Sequence, residues 1–98
     1  MYKVAININE NGEGIFALDN GGKTLGEIKV QMVNNELILL DTIVMSKTYF
    51  QSIANRILQE TVEYARMHDL KIVTMSDFAQ KQFSRDPAIY ADVWEKAS

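Results

Sequence analysis

The sequence has no cysteine and a single histidine, His68, among its 98 residues. Disulfides, thiolate metal sites, Cys-His nucleophile pairs and multi-histidine metal centres are thereby excluded. Basic residues are not in excess either: 10 Lys and Arg against 13 Asp and Glu leave a formal charge of −3 and a pI near 5.0. A nucleic-acid partner, which selects for a basic surface, is not expected. No apolar run approaches the ~20 residues that span a bilayer. The opening "MYKVAININENGEG" alternates and turns polar too early for a secretory leader, so we expect a cytoplasmic protein with no membrane partner. Glycine is missing from the whole of "SKTYFQSIAN", Ser46 to Asn55.

What is present suffices for one core. The chain is 47% hydrophobic, and a domain of this size buries above roughly 60% of its unfolded surface. A single domain over residues 1–98 is expected. The first half reads as strands. "YKVAINI" places Val4, Ile6 and Ile8 in alternation before the turn-rich "NENGEG". "IFAL" is closed by "DNGG", a strong hairpin signal. "LGEIKVQMV" alternates Ile28, Val30 and Met32 against Glu27, Lys29 and Gln31, the pattern of a sheet with one solvated face. "ELILLDTIVM" is nearly continuous in apolar character, which suits a strand covered on both faces. Four strands joined by short turns predict an antiparallel meander.

The period then changes. From Ile53, the residues Ile57, Leu58, Thr61, Val62 and Ala65 fall on one half of a helical wheel, with Arg56, Gln59, Glu60, Glu63 and Arg66 opposite. "KIVTM" is a short return strand. A right-handed strand–helix–strand crossover would make it parallel to the preceding strand, with Val44 and Ile72 as neighbours. "SDFAQKQFSR" has Ser76 or Asp77 as N-cap, and "DPAIYADVWEKA" restarts a helix with Asp86 as N-cap and Pro87 at its first position. The fold class is α+β: a mixed sheet, one main helix and two short C-terminal helices.

Few residues carry chemistry on their own. His68 ends the long helix, where a solvated cation suits the dipole. Glu60 and Glu63 share a face with Arg56 and Arg66, as in a salt-bridged surface. The parallel pair says more. Where parallel strands diverge beside a helix start, main-chain groups are left free for an extended ligand, and the helix's free N–H groups favour phosphate. Lys47 and Arg56 put cations near. An ordinary loop with a solvated lysine has the same pattern.

From about Ile15 to Trp94 the chain resembles the small single-domain GCN5-related N-acetyltransferases of the YjdJ type. Asp41-Thr42-Ile43-Val44 is similar to the family's His-Thr-x-Val strand end. Tyr64 to Thr74, "YARMHDLKIVT", resembles its "ARxxGLKVVP" return. Ser76-Asp77-Phe78 resembles its Cys-x-Phe, and Asp86 to Asp92 its closing His-Pro-x-Tyr-x-Asp with one extra residue. The resemblance implies a mixed sheet with an acetyl-CoA site at the parallel splay. Pantetheine would pair with backbone near Ile43, Val44 and Met45, and pyrophosphate would rest on Gln51, Ser52, Ile53, Ala54 and Asn55. The family's Arg/Gln-x-x-Gly-x-Gly/Ala loop falls on Tyr49 to Ala54: Ala54 fits, while Tyr49 and Ser52 depart, and Phe50 stands where many relatives carry glycine. Ser76 is small and polar where the family has cysteine, and Asp41 replaces its histidine. Asp41 and Asp77 are base candidates, and Ser76 or Tyr90 would protonate the leaving thiolate. No metal is implied. The function implied is acetyl transfer from acetyl-CoA to an amine of a small molecule or protein. The alternative is an inactive binding module of the same fold, with a degenerate coenzyme A loop.

Overall fold

Alternation and turn chemistry build the sheet seen in the computed structural model, which describes residues 2–95. Strand β1 (Tyr2–Ile8) pairs antiparallel with β2 (Glu13–Asn20), β2 with β3 (Lys23–Val33), and β3 with β4 (Glu36–Val44). Gly21 and Gly22, at φ 61° and 89°, make the β2–β3 turn in the left-handed region that other residues avoid. After β4 come helix α1 (Phe50–Met67), strand β5 (Lys71–Thr74), helix α2 (Asp77–Arg85) and the single turn α3 (Pro87–Tyr90). The five-stranded sheet runs β1-β2-β3-β4-β5, with β4 and β5 parallel. The α+β class and the meander are as the sequence predicts.

Both layers are set by the apolar periods. The buried residues Phe16, Ile28, Val30, Leu37, Leu39 and Ile72 point from one face of the sheet into Ile57, Leu58 and Val62 of α1 and Phe83 of α2. Each such side chain contributes about 1.5–3 kcal/mol relative to exposure. Helix α1 ends at His68, which is exposed with its ring on Tyr64 at 4.2 Å, and Asp69 at φ 52° turns the chain toward β5. Opposite the helices the sheet is bare: Ile15, Val33, Leu40 and Ile43 are each more than a third exposed. The smallest Cα extent is 20 Å, the thickness of one sheet and one helix layer.

Three expectations are corrected. β4 is covered on one face only, because no described element packs on the other. Val44 is not beside Ile72: the parallel register is Glu36↔Lys71, Leu37↔Ile72, Ile38↔Val73 and Leu39↔Thr74. Helix α1 returns the chain to the beginning of β4, so β5 aligns with its first half. The last helix stops at Tyr90, because the chain turns to meet β5. There the Ile72 amide donates to the Val93 carbonyl at 2.6 Å, and the Glu95 amide donates to the Ile72 carbonyl at 2.9 Å. Lys96 and Ala97, assigned to that helix by pattern, lie outside the described residues.

Candidate functional site

The site begins where β5 runs out. The Met75 amide donates to the Leu39 carbonyl at 2.8 Å as the last rung between the two strands. β4 continues through Leu40 to Val44, and no described strand pairs with it on that edge. Its other edge remains bonded to β3, ending with the Met45 amide on the Leu25 carbonyl at 2.9 Å. Backbone groups alternate along an antiparallel strand. Met45 and Ile43 therefore turn toward β3, and Val44 and Thr42 toward the open edge.

A β-bulge decides which side chains face which way. Ile28 pairs with Thr42 but Val30 with Leu39, so Leu40 and Asp41 together oppose Lys29. Without the extra residue, strict alternation from the buried Leu39 would send Asp41 and Ile43 toward the helices. The bulge reverses the phase. Thr42 and Val44 face the helix layer, while Asp41 is exposed with Leu40 on the bare face.

Two helices begin beside this opening. Helix α1 starts after Tyr49, whose side chain caps nothing, and its first turn holds no acidic residue. Its internal ladder opens with the Ile53 amide on the Tyr49 carbonyl at 3.0 Å. The amides of Phe50, Gln51 and Ser52 have no partner among the described residues. Gly26 lets this end settle on the sheet, since a Cβ there would lie 2.9 Å from Ile53 Cγ2. Exposed Lys47 and half-exposed Arg56 flank the start, Arg56 3.9 Å from Glu60. A depression of about 480 Å³ on the β2 side of the helix start is lined by Tyr49, Ser52 and Arg56. Helix α2 is different: Ser76 Oγ accepts from the Ala79 amide at 3.3 Å. The rings of Phe50 and Phe78 meet edge to face at 5.6 Å and span the gap between the two helix starts.

The sequence-derived residues are only partly brought together. Val44 ends β4, Gln51 and Ser52 lie in the first turn of α1, with Ser52 lining the depression on the β2 side, and Ser76 caps α2. Ile53 packs against the core and its amide is committed to the helix. Ala54 is wholly buried, and its amide and that of Asn55 fall within the helical ladder. Asp41 is on the far face of the sheet. Tyr90 is buried in the helix layer, stacked on Phe83 at 4.4 Å with its hydroxyl accepting from Gln59 Nε2 at 3.1 Å, well down α1 from its start. The Phe50 amide has no signature in the sequence, because a backbone donor does not depend on its side chain. The inward turn of Thr42 has none either, because the bulge that causes it arises from strand pairing.

Away from the opening the charges are structural. Arg66 donates to Asp92 at 2.9 Å, to Glu63 at 3.0 Å and to the Ile89 carbonyl at 2.9 Å, which ties α3 to α1. Its hydrogen bond holds the Asp92 carboxyl below the usual carboxylate range. A shallow depression of about 550 Å³ over Asn7, Lys29 and Gln31 lies on the bare face, remote from both helix starts. No group of three metal-ligating side chains occurs among the described residues.

The parallel pair of strands thus splits beside a helix start that no side chain caps. The comparisons give the family. The family model for GCN5-related N-acetyltransferase matches residues 15–93, so the chain belongs to that family. It is similar to the solution structure of a GCN5-like protein from Staphylococcus aureus, at 28% identity over 96% of this chain and 90% of that one, with a TM-score of 0.67. No curated protein matches it.

Proposed function

We propose that the protein, as a small YjdJ-type member, transfers an acetyl group from acetyl-CoA to an amine of a small molecule or protein. The observation that carries this reading is the coincidence of β4's open edge with the uncapped start of α1. The fit is favourable at both ends. Three free amides at a positive helix end suit a pyrophosphate, and the Thr42 and Val44 main chain suits the amides of a pantetheine arm. Acetyl-CoA would supply an activated thioester. Val44 and the Phe50, Gln51 and Ser52 amides would orient it, and the Ser52 hydroxyl would add one donor where relatives rely on glycine. Orientation is the larger part of such catalysis. The amine nitrogen bonds to the thioester carbonyl carbon, the C–S bond breaks, and the amine proton passes to solvent or Asp77. The Ser76 hydroxyl, which accepts from the Ala79 amide, would donate a hydrogen bond to the leaving thiolate, and the thiolate would take its proton from solvent.

One observation favours the second reading, an inactive binding module. The Phe50–Phe78 pair bridges the helix starts that a bound arm must pass. Titration with acetyl-CoA, followed by amide NMR, separates the two. Shifts at Val44 and at residues 50–55 with micromolar ligand are expected, and no response at millimolar coenzyme A overturns the acetyltransferase reading. In the same titration, Phe50→Ala should bind more tightly if the ring pair narrows the entry.

A further inference from the structure

We propose that Thr42 is the residue that positions the reacting end of the substrate: its Oγ1 donates a hydrogen bond to the carbonyl oxygen of the acetyl thioester. The inference rests on the acetyl-CoA reading above and adds a role that the helix start and the open strand edge do not require.

Among the buried side-chain nitrogens and oxygens described, Thr42 Oγ1 alone lacks a hydrogen-bond partner. The fold shows how such a group is ordinarily satisfied. Thr61, wholly buried, donates from Oγ1 to the Ile57 carbonyl at 2.8 Å, one helical turn back. A strand offers no such carbonyl, so Thr42 depends on something outside its own segment. An unmade hydrogen bond at a buried hydroxyl is destabilising, and where one persists it calls for a reason, a functional constraint or a bound water or ion.

Its location says which constraint. The bulge at Leu40 and Asp41 rotates Thr42 onto the helix-bearing face, opposite the wholly buried Ile28. Its main chain meanwhile faces the open edge. It lies just past the Leu39–Met75 rung where the split between β4 and β5 closes. A ligand anchored by phosphates at Phe50 to Ser52 and lying along Val44 reaches Thr42 about 7 Å further back, two strand residues away. The end of the arm, not its middle, meets the hydroxyl. A neutral donor is also the suitable group there, since it polarises a carbonyl without pairing with the incoming amine.

The test uses the full chain, calorimetric titration with acetyl-CoA and with coenzyme A, and thermal melts. Thr42→Val should weaken acetyl-CoA binding by about five- to tenfold, the worth of one neutral hydrogen bond, and leave coenzyme A binding unchanged. Thr42→Ser should keep both affinities. Unliganded Thr42→Val should melt no lower than the wild type, because it removes an unsatisfied hydroxyl; a residue with a merely structural role would melt lower. Thr42→Ala carries the same ligand comparison if the valine variant does not fold. Equal losses for both ligands, no loss for either, or a serine variant that behaves like valine would each overturn the assignment. A wild type that binds neither ligand overturns the acetyl-CoA reading itself, a result distinct from these.

Discussion

Two helices start on either side of the same split, and they are finished differently. Helix α2 is capped by Ser76 and carries Asp77 in its first turn, so its free amide and its dipole are both answered from within the chain. Helix α1 has no side-chain cap and no acid in its first turn, though it is twice as long and more deeply packed. Capping residues are easily supplied by a sequence. An 18-residue helix held by the core can do without one, and an end left open is free for an anion. The contrast separates an end that serves folding from one that serves a ligand.

The comparison breaks most visibly if α1 is closed in the manner of α2. Tyr49→Asp places an acceptor and a negative charge at that start, where Tyr49 is 63% exposed and contributes little packing. Acetyl-CoA affinity should fall by about tenfold or more, while thermal stability holds or rises slightly; calorimetry and a thermal melt read the two effects. The reverse change opens α2. Ser76→Ala removes the acceptor of the Ala79 amide and should cost about 1 kcal/mol, or about 4–8 °C in a domain of this size. Its effect on kcat should stay below about tenfold, because a thiolate with a pKa near 8.5 leaves without obligatory protonation. A larger kcat loss would give Ser76 more of the chemistry than its cap.

The smallest effect is expected at the closed end of the β4–β5 pair. The hydrogen bond that the protonated Glu36 carboxyl donates to Glu95, and then the Glu95 charge, hold the Glu36 carboxyl above its usual range. A raised folded-state value means the folded protein binds the proton more tightly. That contribution is present below the ordinary carboxylate value and is lost as pH rises through the raised one. Glu36→Gln should therefore raise the melting temperature slightly at pH 7, give no gain near pH 3, and leave acetyl-CoA binding unchanged. A change in binding would show that the two halves of β4 are coupled.

Much of this was legible in the residues. The alternation of Ile28, Val30 and Met32 and the helical spacing from Ile53 to Ala65 foretold sheet and helix, and "DNGG" the hairpin between β2 and β3. "ELILLDTIVM" predicts two-sided cover from its apolar content, yet Leu40 and Ile43 stay partly exposed. The elements that carry Val44, Gln51, Ser52 and Ser76 were legible, as a strand end, a helix start and a helix cap. The individual roles of Ala54, Asn55 and Tyr90 were not, because burial and helical bonding occupy them. No helix among the described residues is long and apolar enough to cross a membrane.

By itself the sequence determined the kinds and order of the elements and the one apolar stripe on each, since hydrophobic period and turn chemistry act over a few neighbouring residues. The tertiary structure decided where β4 is left unpaired and which of its side chains turn inward. β5 is only four residues long and is delivered by α1 to the first half of β4, and pairing with β3 places the extra residue opposite Lys29. Register and phase are properties of strand pairs, and no single strand's sequence contains them. That is why Thr42, unremarkable within a run of apolar residues, becomes the unsatisfied hydroxyl at the end of the split.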